Sequence, residues 1–281
     1  MQAQSIETNG IRLAYRDEGA GEPLLIMHGL TANLHNFDGL MRHGLAVKRR
    51  IIRMDLRGRG LSDKPTTGYR MADHAADMLG MLDALGIAGP CDIGGHSFGA
   101  LLSFYLAAHH PQRVRRVVAM DAGLEATHPD VLPKIRPSLE RLGKSVPSWE
   151  LFISAIKASP YYADGFWDAD LEAYYRYDVE TLPDGAVRSR VSASAIEQAV
   201  EGVIGENWDQ ILARVTQPVL LVHAPDPMAA GQTPILSDEG AQNTLAHLPN
   251  ARYFRASGHH ITMAFGQHAA RVVTAIEDFL G

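Results

Sequence analysis

The amino-acid sequence predicts an α/β fold in which a mostly parallel central sheet carries helices on both faces and a mainly helical cap. Apolar runs with little polar alternation recur along the chain, as expected of strands that are covered on both faces. Segments with the three- and four-residue spacing of a helix lie between those runs. Because a helix between two strands returns the chain to the same sheet edge, the alternation predicts parallel strands. One long segment lacks the alternation, and it predicts the cap.

The core elements follow from these patterns in chain order. A hairpin is predicted around Asn9-Gly10, because this dipeptide best tolerates the positive φ angles of a type I′ turn. The predicted strands are residues 5–8, 11–15, 23–27, 50–54, the run that starts at Cys91, 114–120, 218–222 and 251–254. The predicted helices are residues 71–85, the run that starts at Ala100, and 269–280.

The segment from residue 125 to residue 208 is predicted to form the cap, which leaves residues 1–124 and 209–281 as the core. Aromatic residues are concentrated in this segment: Trp149, Trp167, Trp208, Tyr161, Tyr162, Tyr174, Tyr175 and Tyr177. A cap over a site uses such residues to line an apolar pocket, so we expect several to face that site, although any single ring could belong to the cap's own core. Asp184-Gly185 predicts a short hairpin within the cap.

Composition narrows the class of partner. The 281 residues carry 26 basic and 32 acidic side chains, a net charge of −6, which gives no reason to expect nucleic acid or an anionic membrane. The short segment from Arg57 to Gly60 predicts a turn and not a binding patch. The single cysteine, Cys91, and the absence of a signal-like start predict a cytoplasmic protein. A small-molecule substrate and a monomer or homodimer are expected.

The most specific motif is Gly95-His96-Ser97-Phe98-Gly99. It follows an apolar run and precedes a helical one, which is the context of a nucleophile elbow, a sharp strand-to-helix turn that exposes a serine. The flanking glycines leave room for that turn, and the helix N-terminus favours developing negative charge. The sequence therefore predicts that Ser97 is a catalytic nucleophile.

A serine nucleophile needs a base, and the base follows late in the chain when the nucleophile lies in an elbow. Of the histidines after residue 250, His268 falls at the start of the last predicted helix. His259 and His260 lie in the loop after a strand, where one of them could reach Ser97. Adjacent side chains point in different directions, so only one of the two can be the base.

With these motifs the chain resembles the α/β-hydrolase superfamily over essentially its whole length. His28-Gly29-Leu30 stands where the family has its oxyanion loop, and Asp55 to Asp63 resembles the family's D-x-R-G-x-G-x-S turn. Gly258 to Met263 resembles the G-N-H-x-T-M loop of some members. That loop implies that His260 is the base, whereas the commoner G-H pattern would imply His259. The resemblance also implies that the backbone N–H groups of Leu30 and Phe98 form the oxyanion hole.

The family implies two positions for the acid of the triad. Most members carry it after the strand that here ends at Val222, where this chain has Asp226, one residue short of the usual spacing and between two prolines. A minority carry it one strand earlier, where this chain has Asp121. We select Asp121, with Asp226 as the alternative acid, since the end of that strand lies on the ligand side of an open α/β sheet.

The resemblance implies a serine hydrolase that needs no metal or organic cofactor. A small hydrophobic or ring-containing carboxylic ester or lactone is the expected substrate, cleaved through an acyl-enzyme. The serine at the elbow argues against haloalkane dehalogenases and epoxide hydrolases, which resemble this fold but carry aspartate there. A C–C bond or amide hydrolase, or a non-hydrolytic binding protein or lyase of the same fold, is the alternative.

Overall fold

A computed structural model describes residues 3–281 of the chain. The eight strands of its central sheet are β1 Gln4–Thr8, β2 Ile11–Gly19, β3 Pro23–Met27, β4 Arg50–Met54, β5 Cys91–His96, β6 Val114–Met120, β10 Val219–His223 and β11 Ala251–Arg255. They lie in the order β1-β2-β4-β3-β5-β6-β10-β11. Strand β2 runs antiparallel to both of its neighbours, and the remaining pairs are parallel. The predicted α/β class is confirmed.

The helices of the core lie between these strands in the chain, except for the last helix, which follows β11. They are α1 Asp38–Arg42, α2 Met71–Ala84, α3 Phe98–His109, α8 Trp208–Ala213, α9 Asp238–Ala246 and α10 Gly266–Leu280. The predicted helices correspond to α2, α3 and α10 within a few residues, whereas α1, α8 and α9 were not predicted. The N-terminal hairpin is also as predicted, with positive φ at both Asn9 and Gly10, the geometry of a type I′ turn.

Apolar side chains cover both faces of the sheet. On one face α2, α3 and α8 pack over a continuous buried cluster that includes Phe104 and Trp208. On the other face α10 packs with the region around Phe37, and the buried members of α10 include Val272 and Ile276. Burial on both faces explains why the strand sequences read as continuous apolar runs and not as alternating ones.

Between β6 and α8 the chain no longer alternates between core strands and helices. It contains α4 Leu132–Glu140, β7 Ser145–Val146, α5 Trp149–Lys157, α6 Ala169–Asp178, β8 Val179–Thr181, β9 Val187–Ser189 and α7 Ala193–Ile204. The three strands form a small antiparallel sheet in the order β7-β9-β8, and β8 and β9 flank the predicted Asp184-Gly185 turn. Tyr162, Tyr174 and Tyr175 are buried in an apolar cluster that also includes Phe265 of the core.

Parallel register brings several loops to one edge of the sheet. The segment after β3 begins at His28, the turn after β5 holds Ser97, and Asp121 follows β6 directly. The backbone N–H of Ser97 donates to the carbonyl of Met120 at 2.8 Å, and that of Asp121 donates to the carbonyl of Val222 at 2.7 Å. These bonds continue the ladder beyond the strand ends and hold the two loops side by side. Within residues 3–281, no helix is long and apolar enough to span a membrane.

Candidate active site

Ser97 occupies a sharp turn between β5 and α3. Its backbone has φ 55° and ψ −119°, a conformation that costs a non-glycine residue of order 1–3 kcal/mol and persists only where the surroundings impose it. Two close approaches impose it here. A Cβ on Gly95 would lie 2.2 Å from the carbonyl carbon of Gly99, and a Cβ on Gly99 would lie 2.0 Å from the carbonyl oxygen of Met27. The turn therefore needs glycine at both flanking positions.

Gly99→Ala should destabilise the protein, since backbone atoms of β3 occupy the place of the new methyl group. Overpacking of this kind typically lowers the free energy of unfolding by about 1–3 kcal/mol, which urea unfolding can measure. Gly89→Ala is the matched control, because nothing lies within 4 Å of its added Cβ. Equal stabilities of the two variants would contradict the steric argument.

His260 and Asp121 are in direct contact. The Nδ1 atom of His260 lies 2.6 Å from Oδ2 of Asp121, although 139 residues separate them in sequence. Asp121 is fully buried, and its second oxygen accepts a hydrogen bond from the N–H of Ala224 at 2.8 Å. This arrangement orients the imidazole and leaves Nε2 as the ring nitrogen without an Asp121 contact.

Burial sets the protonation of this pair. The pKa of His260 is lowered because the charged imidazolium would lose its solvation, with a further contribution from the neighbouring His259. The pKa of Asp121 is raised by its own burial, and the hydrogen bond from Ala224 opposes that rise. A lowered histidine pKa keeps the imidazole neutral at neutral pH, which is the form that accepts a proton.

The alternative acid, Asp226, and the alternative base, His259, make other contacts. Asp226 is exposed, and its backbone forms an isolated bridge with His259. The ring of His259 faces the segment between β6 and β10, where its Nε2 lies 2.9 Å from the carbonyl oxygen of Tyr161. Its Nδ1 accepts the backbone N–H of Ile261 at 3.1 Å. His268 contacts the Ser257 hydroxyl at 2.9 Å.

The segment after β3 packs against the elbow. The Nδ1 atom of His28 donates to the carbonyl of Gly29 at 2.7 Å, because its Nε2 accepts the backbone N–H of Leu56 at 3.0 Å and so carries no proton. In a trans peptide the N–H points away from the carbonyl, so this bond directs the N–H of Leu30 away from His28. A Cβ on Gly29 would lie 3.4 Å from the Ser97 Cβ, which shows how closely the segment approaches the nucleophile elbow.

A cavity of about 130 Å³ is lined by Ser97, His260, Leu30 and Phe98 together. Most of its wall is apolar and comes from both the core and the segment between β6 and β10, including Leu101, Val131, Ile135, Val200, Met228 and Ile235. Polar lining side chains include Asn36, Thr127, His128, Ser138 and Arg141. The wall around Ser97 is therefore mainly apolar, with a few polar side chains.

The aromatic residues expected around the site divide into two groups. Tyr174 and Tyr175 line the cavity, whereas Trp149 and Trp167 border a separate surface cleft and Trp208 packs in the larger core cluster. Two of the expected rings thus face the cavity, whereas Tyr161 and Tyr162 are buried in an apolar cluster.

Two residues of the cavity wall were not identified from the sequence. Arg141 lies at the end of α4, and its guanidinium contacts Asp178, the Ser189 hydroxyl and the carbonyl of Thr31. The ring of His96 packs against that of His260, tilted by 42° with the centroids 4.4 Å apart, and its Nε2 donates to the carbonyl of His260 at 2.7 Å. His96 could have been suspected from its place inside the elbow motif. Nothing in the local sequence distinguishes Arg141 from the other arginines.

The chain is similar to known proteins in both sequence and structure. The family described as alpha/beta hydrolase fold matches residues 22–264. A 2-(acetamidomethylene)succinate hydrolase of Mesorhizobium japonicum is 33% identical over 224 residues, which are 78% of this chain and 76% of that protein. A non-heme chloroperoxidase of Streptomyces lividans is 27% identical over 78% of this chain and 80% of its own length.

A solved structure of E-2-(acetamidomethylene)succinate hydrolase is similar throughout. It has a TM-score of 0.84 and 25% sequence identity, and the match covers 99% of this chain and 98% of that one.

Proposed function

Because the chain belongs to the alpha/beta hydrolase fold family, we propose that it is a serine hydrolase that cleaves a small hydrophobic carboxylic ester or lactone. The observation that carries the proposal is the 2.6 Å contact between His260 Nδ1 and Asp121 Oδ2, since His260 lines the same cavity as the strained Ser97. A nucleophile, a base and an orienting carboxylate are the three groups that acyl transfer through a serine requires.

In the proposed reaction His260 accepts the proton of the Ser97 hydroxyl through Nε2 while the oxygen attacks the substrate carbonyl. The N–H groups of Leu30 and Phe98 hold the resulting oxyanion, and each such donor is typically worth about 3 kcal/mol. The tetrahedral species collapses to the acyl-enzyme, and His260 returns the proton to the departing alkoxide. Water, deprotonated by the same histidine, then releases the acid and restores Ser97. The proposal requires no metal and no cofactor.

The substrate class follows from the cavity wall. Apolar side chains dominate it, and the charge of Arg141 is balanced by Asp178, so a neutral apolar acyl group fits better than a highly charged one. Tyr174 and Tyr175 are the rings that support a ring-containing substrate. Residues 125–208 would act as the cap, since this segment supplies much of the wall opposite Ser97.

A second candidate is an amide hydrolase for an acidic substrate. It is favoured by the 33% identical relative, whose named substrate carries an acetamido group and a succinate, and by the presence of Arg141 in the wall. Cleavage of a C–C bond would use the same three groups. Because one relative is a chloroperoxidase, a function other than hydrolysis is a further alternative.

Turnover of p-nitrophenyl acetate and butyrate by the purified protein, beside N-acyl amides of acidic and of neutral compounds, tests these candidates. The ester proposal predicts hydrolysis that prefers butyrate over acetate and disappears in Ser97→Ala. Amide turnover faster than ester turnover would favour the second candidate. Turnover of none of them would contradict the proposed hydrolase.

Asp121→Asn should lower kcat by about 10⁴-fold with little change in KM, because asparagine neither fixes the imidazole tautomer nor stabilises the imidazolium. Asp226→Asn is the matched control and should have a much smaller effect. Steady-state kinetics on a p-nitrophenyl ester measures both variants. If Asp226→Asn proved the more damaging change, the assignment of the acid would be wrong.

A further inference from the structure

Arg59 is a fully buried arginine without a carboxylate partner. Its relative exposure is 0%, and no aspartate or glutamate within residues 3–281 lies within 4 Å of its guanidinium. Its Nε donates to the carbonyl of Leu30 at 3.0 Å and its Nη1 to the carbonyl of Arg57 at 2.7 Å. Nη2 is buried and has no partner in the described chain.

The other buried arginines of the core are neutralised. Arg57 is paired with Asp77, Arg53 with Glu18 and Asp38, and Arg49 with Asp92 and Glu277. Charges inside proteins are normally paired in this way, because an unpaired buried charge loses its hydration without compensation. Arg59 is therefore an exception that costs the resting protein stability.

Uncharged rings lie close to the Arg59 guanidinium, and the charged neighbour that acts on it, Arg57, is also positive. Its Cζ lies 5.5 Å from the ring centroid of Phe98 and 6.0 Å from that of Tyr69. The ring of His74 lies 5.2 Å from that of Phe98, and burial lowers the pKa of His74 well below its usual value, with a further contribution from Arg59. These rings attract the guanidinium through their faces but do not cancel its charge.

The guanidinium keeps its charge despite burial. Desolvation lowers the pKa of Arg59 to about 9, which is still above neutral pH. Its two nearest contacts that belong to the cavity wall are the carbonyl of Leu30 and the ring of Phe98, the residues whose N–H groups would hold the oxyanion. The uncompensated positive charge thus contacts both residues whose N–H groups would hold the oxyanion.

We propose that Arg59 is a positioning residue that holds the Leu30 segment and supplies an electrostatic field that favours the oxyanion. The inference rests on the proposed serine-hydrolase function. A fixed, preorganised charge in a site of low polarity stabilises a developing anion more strongly than water would. The unpaired charge lowers the stability of the folded protein but stabilises the transition state of the proposed reaction. This is a trade-off between stability and activity.

Arg59→Met separates this role from a structural one. Methionine removes the charge and fills much of the same space, so we expect a melting temperature equal to or above that of the wild type. We expect kcat on p-nitrophenyl butyrate to fall by about tenfold or more with little change in KM, since the charge acts on the transition state. Arg59→Lys should keep more of the wild-type kcat than Arg59→Met.

A boronic acid supplies a readout that is independent of turnover. Phenylboronic acid forms a tetrahedral anion on a serine nucleophile, so its inhibition constant should rise in Arg59→Met by a factor similar to the fall in kcat. Arg50→Met is the matched control. It removes the same charge from the amino end of β4, where Arg50 is paired with Asp17, and it should change neither kcat nor the inhibition constant.

Three results would overturn the proposal: an unchanged kcat and boronate affinity in Arg59→Met, a melting temperature that falls in parallel with activity, or a variant that does not fold. The last two would make the guanidinium a structural requirement. Failure of the proposed function is distinguishable, because it would appear in the wild type as an absence of turnover dependent on Ser97.

Discussion

Ser97→Ala should abolish covalent labelling by a fluorophosphonate and lower kcat on a p-nitrophenyl ester by roughly 10⁴- to 10⁶-fold. The reason is that the acyl-enzyme cannot form without the Ser97 oxygen, so only binding and the oxyanion donors would remain. Intact-protein mass spectrometry should show one added label on the wild type, located by peptide mapping on the peptide that contains Ser97.

The fold should tolerate this change, since alanine removes only the hydroxyl, for which the structure gives no hydrogen bond within the described chain. A circular dichroism spectrum and melting temperature like those of the wild type would establish that the loss is chemical. Labelling that persisted in Ser97→Ala would mean that another residue is the nucleophile, and the serine-hydrolase proposal would be wrong.

His260→Ala should lower kcat by about 10⁴-fold or more, because it removes the base that activates Ser97. Its contact with the buried Asp121 is the structural reason to choose this histidine over its neighbour. Steady-state kinetics across pH 5–9 measures the loss and also excludes a simple shift of the pH optimum. The rate of fluorophosphonate labelling should fall as well, since it depends on the same activation.

His259→Ala is the matched variant for this test, because it deletes the adjacent imidazole. The ring of His259 contacts the Tyr161 carbonyl, so its loss should loosen the contact between the loop and the segment around Tyr161 and cost much less in kcat. If His259→Ala were the more damaging change, the commoner G-H register would apply and His260 would not be the base.

Local sequence determined the features that depend on what a short stretch of backbone can adopt. The elbow around Ser97 is one, since glycines at two fixed positions, an apolar run before and a helix after leave little alternative to a tight strand-to-helix turn. The Asn9-Gly10 hairpin is another. The α/β class with a mostly parallel sheet could also be predicted from local sequence, because strands covered on both faces need continuous apolar runs.

Contacts between residues that are distant in the chain could not be predicted from local sequence. Asp121 and Asp226 each follow a core strand, and only the fold buries one beside His260 and leaves the other exposed. The division of the aromatic side chains between the cavity wall and their own core also depends on how α6 packs. Composition predicts that several rings face the site, and the rings that line the cavity are those of Tyr174 and Tyr175.

Arg59 shows most clearly why local sequence does not predict such contacts. In the sequence it stands in a glycine-rich turn and resembles a solvated surface residue, since arginine is rarely buried without a partner. Its burial against Phe98 and Leu30 depends on β3, α3 and the turn itself coming together. The sequence by itself determined which residues are candidates for the proposed chemistry, because that depends on side-chain type and local backbone. The tertiary structure decided which of them meet and which charges stay unpaired, because solvation and distance are properties of the whole fold.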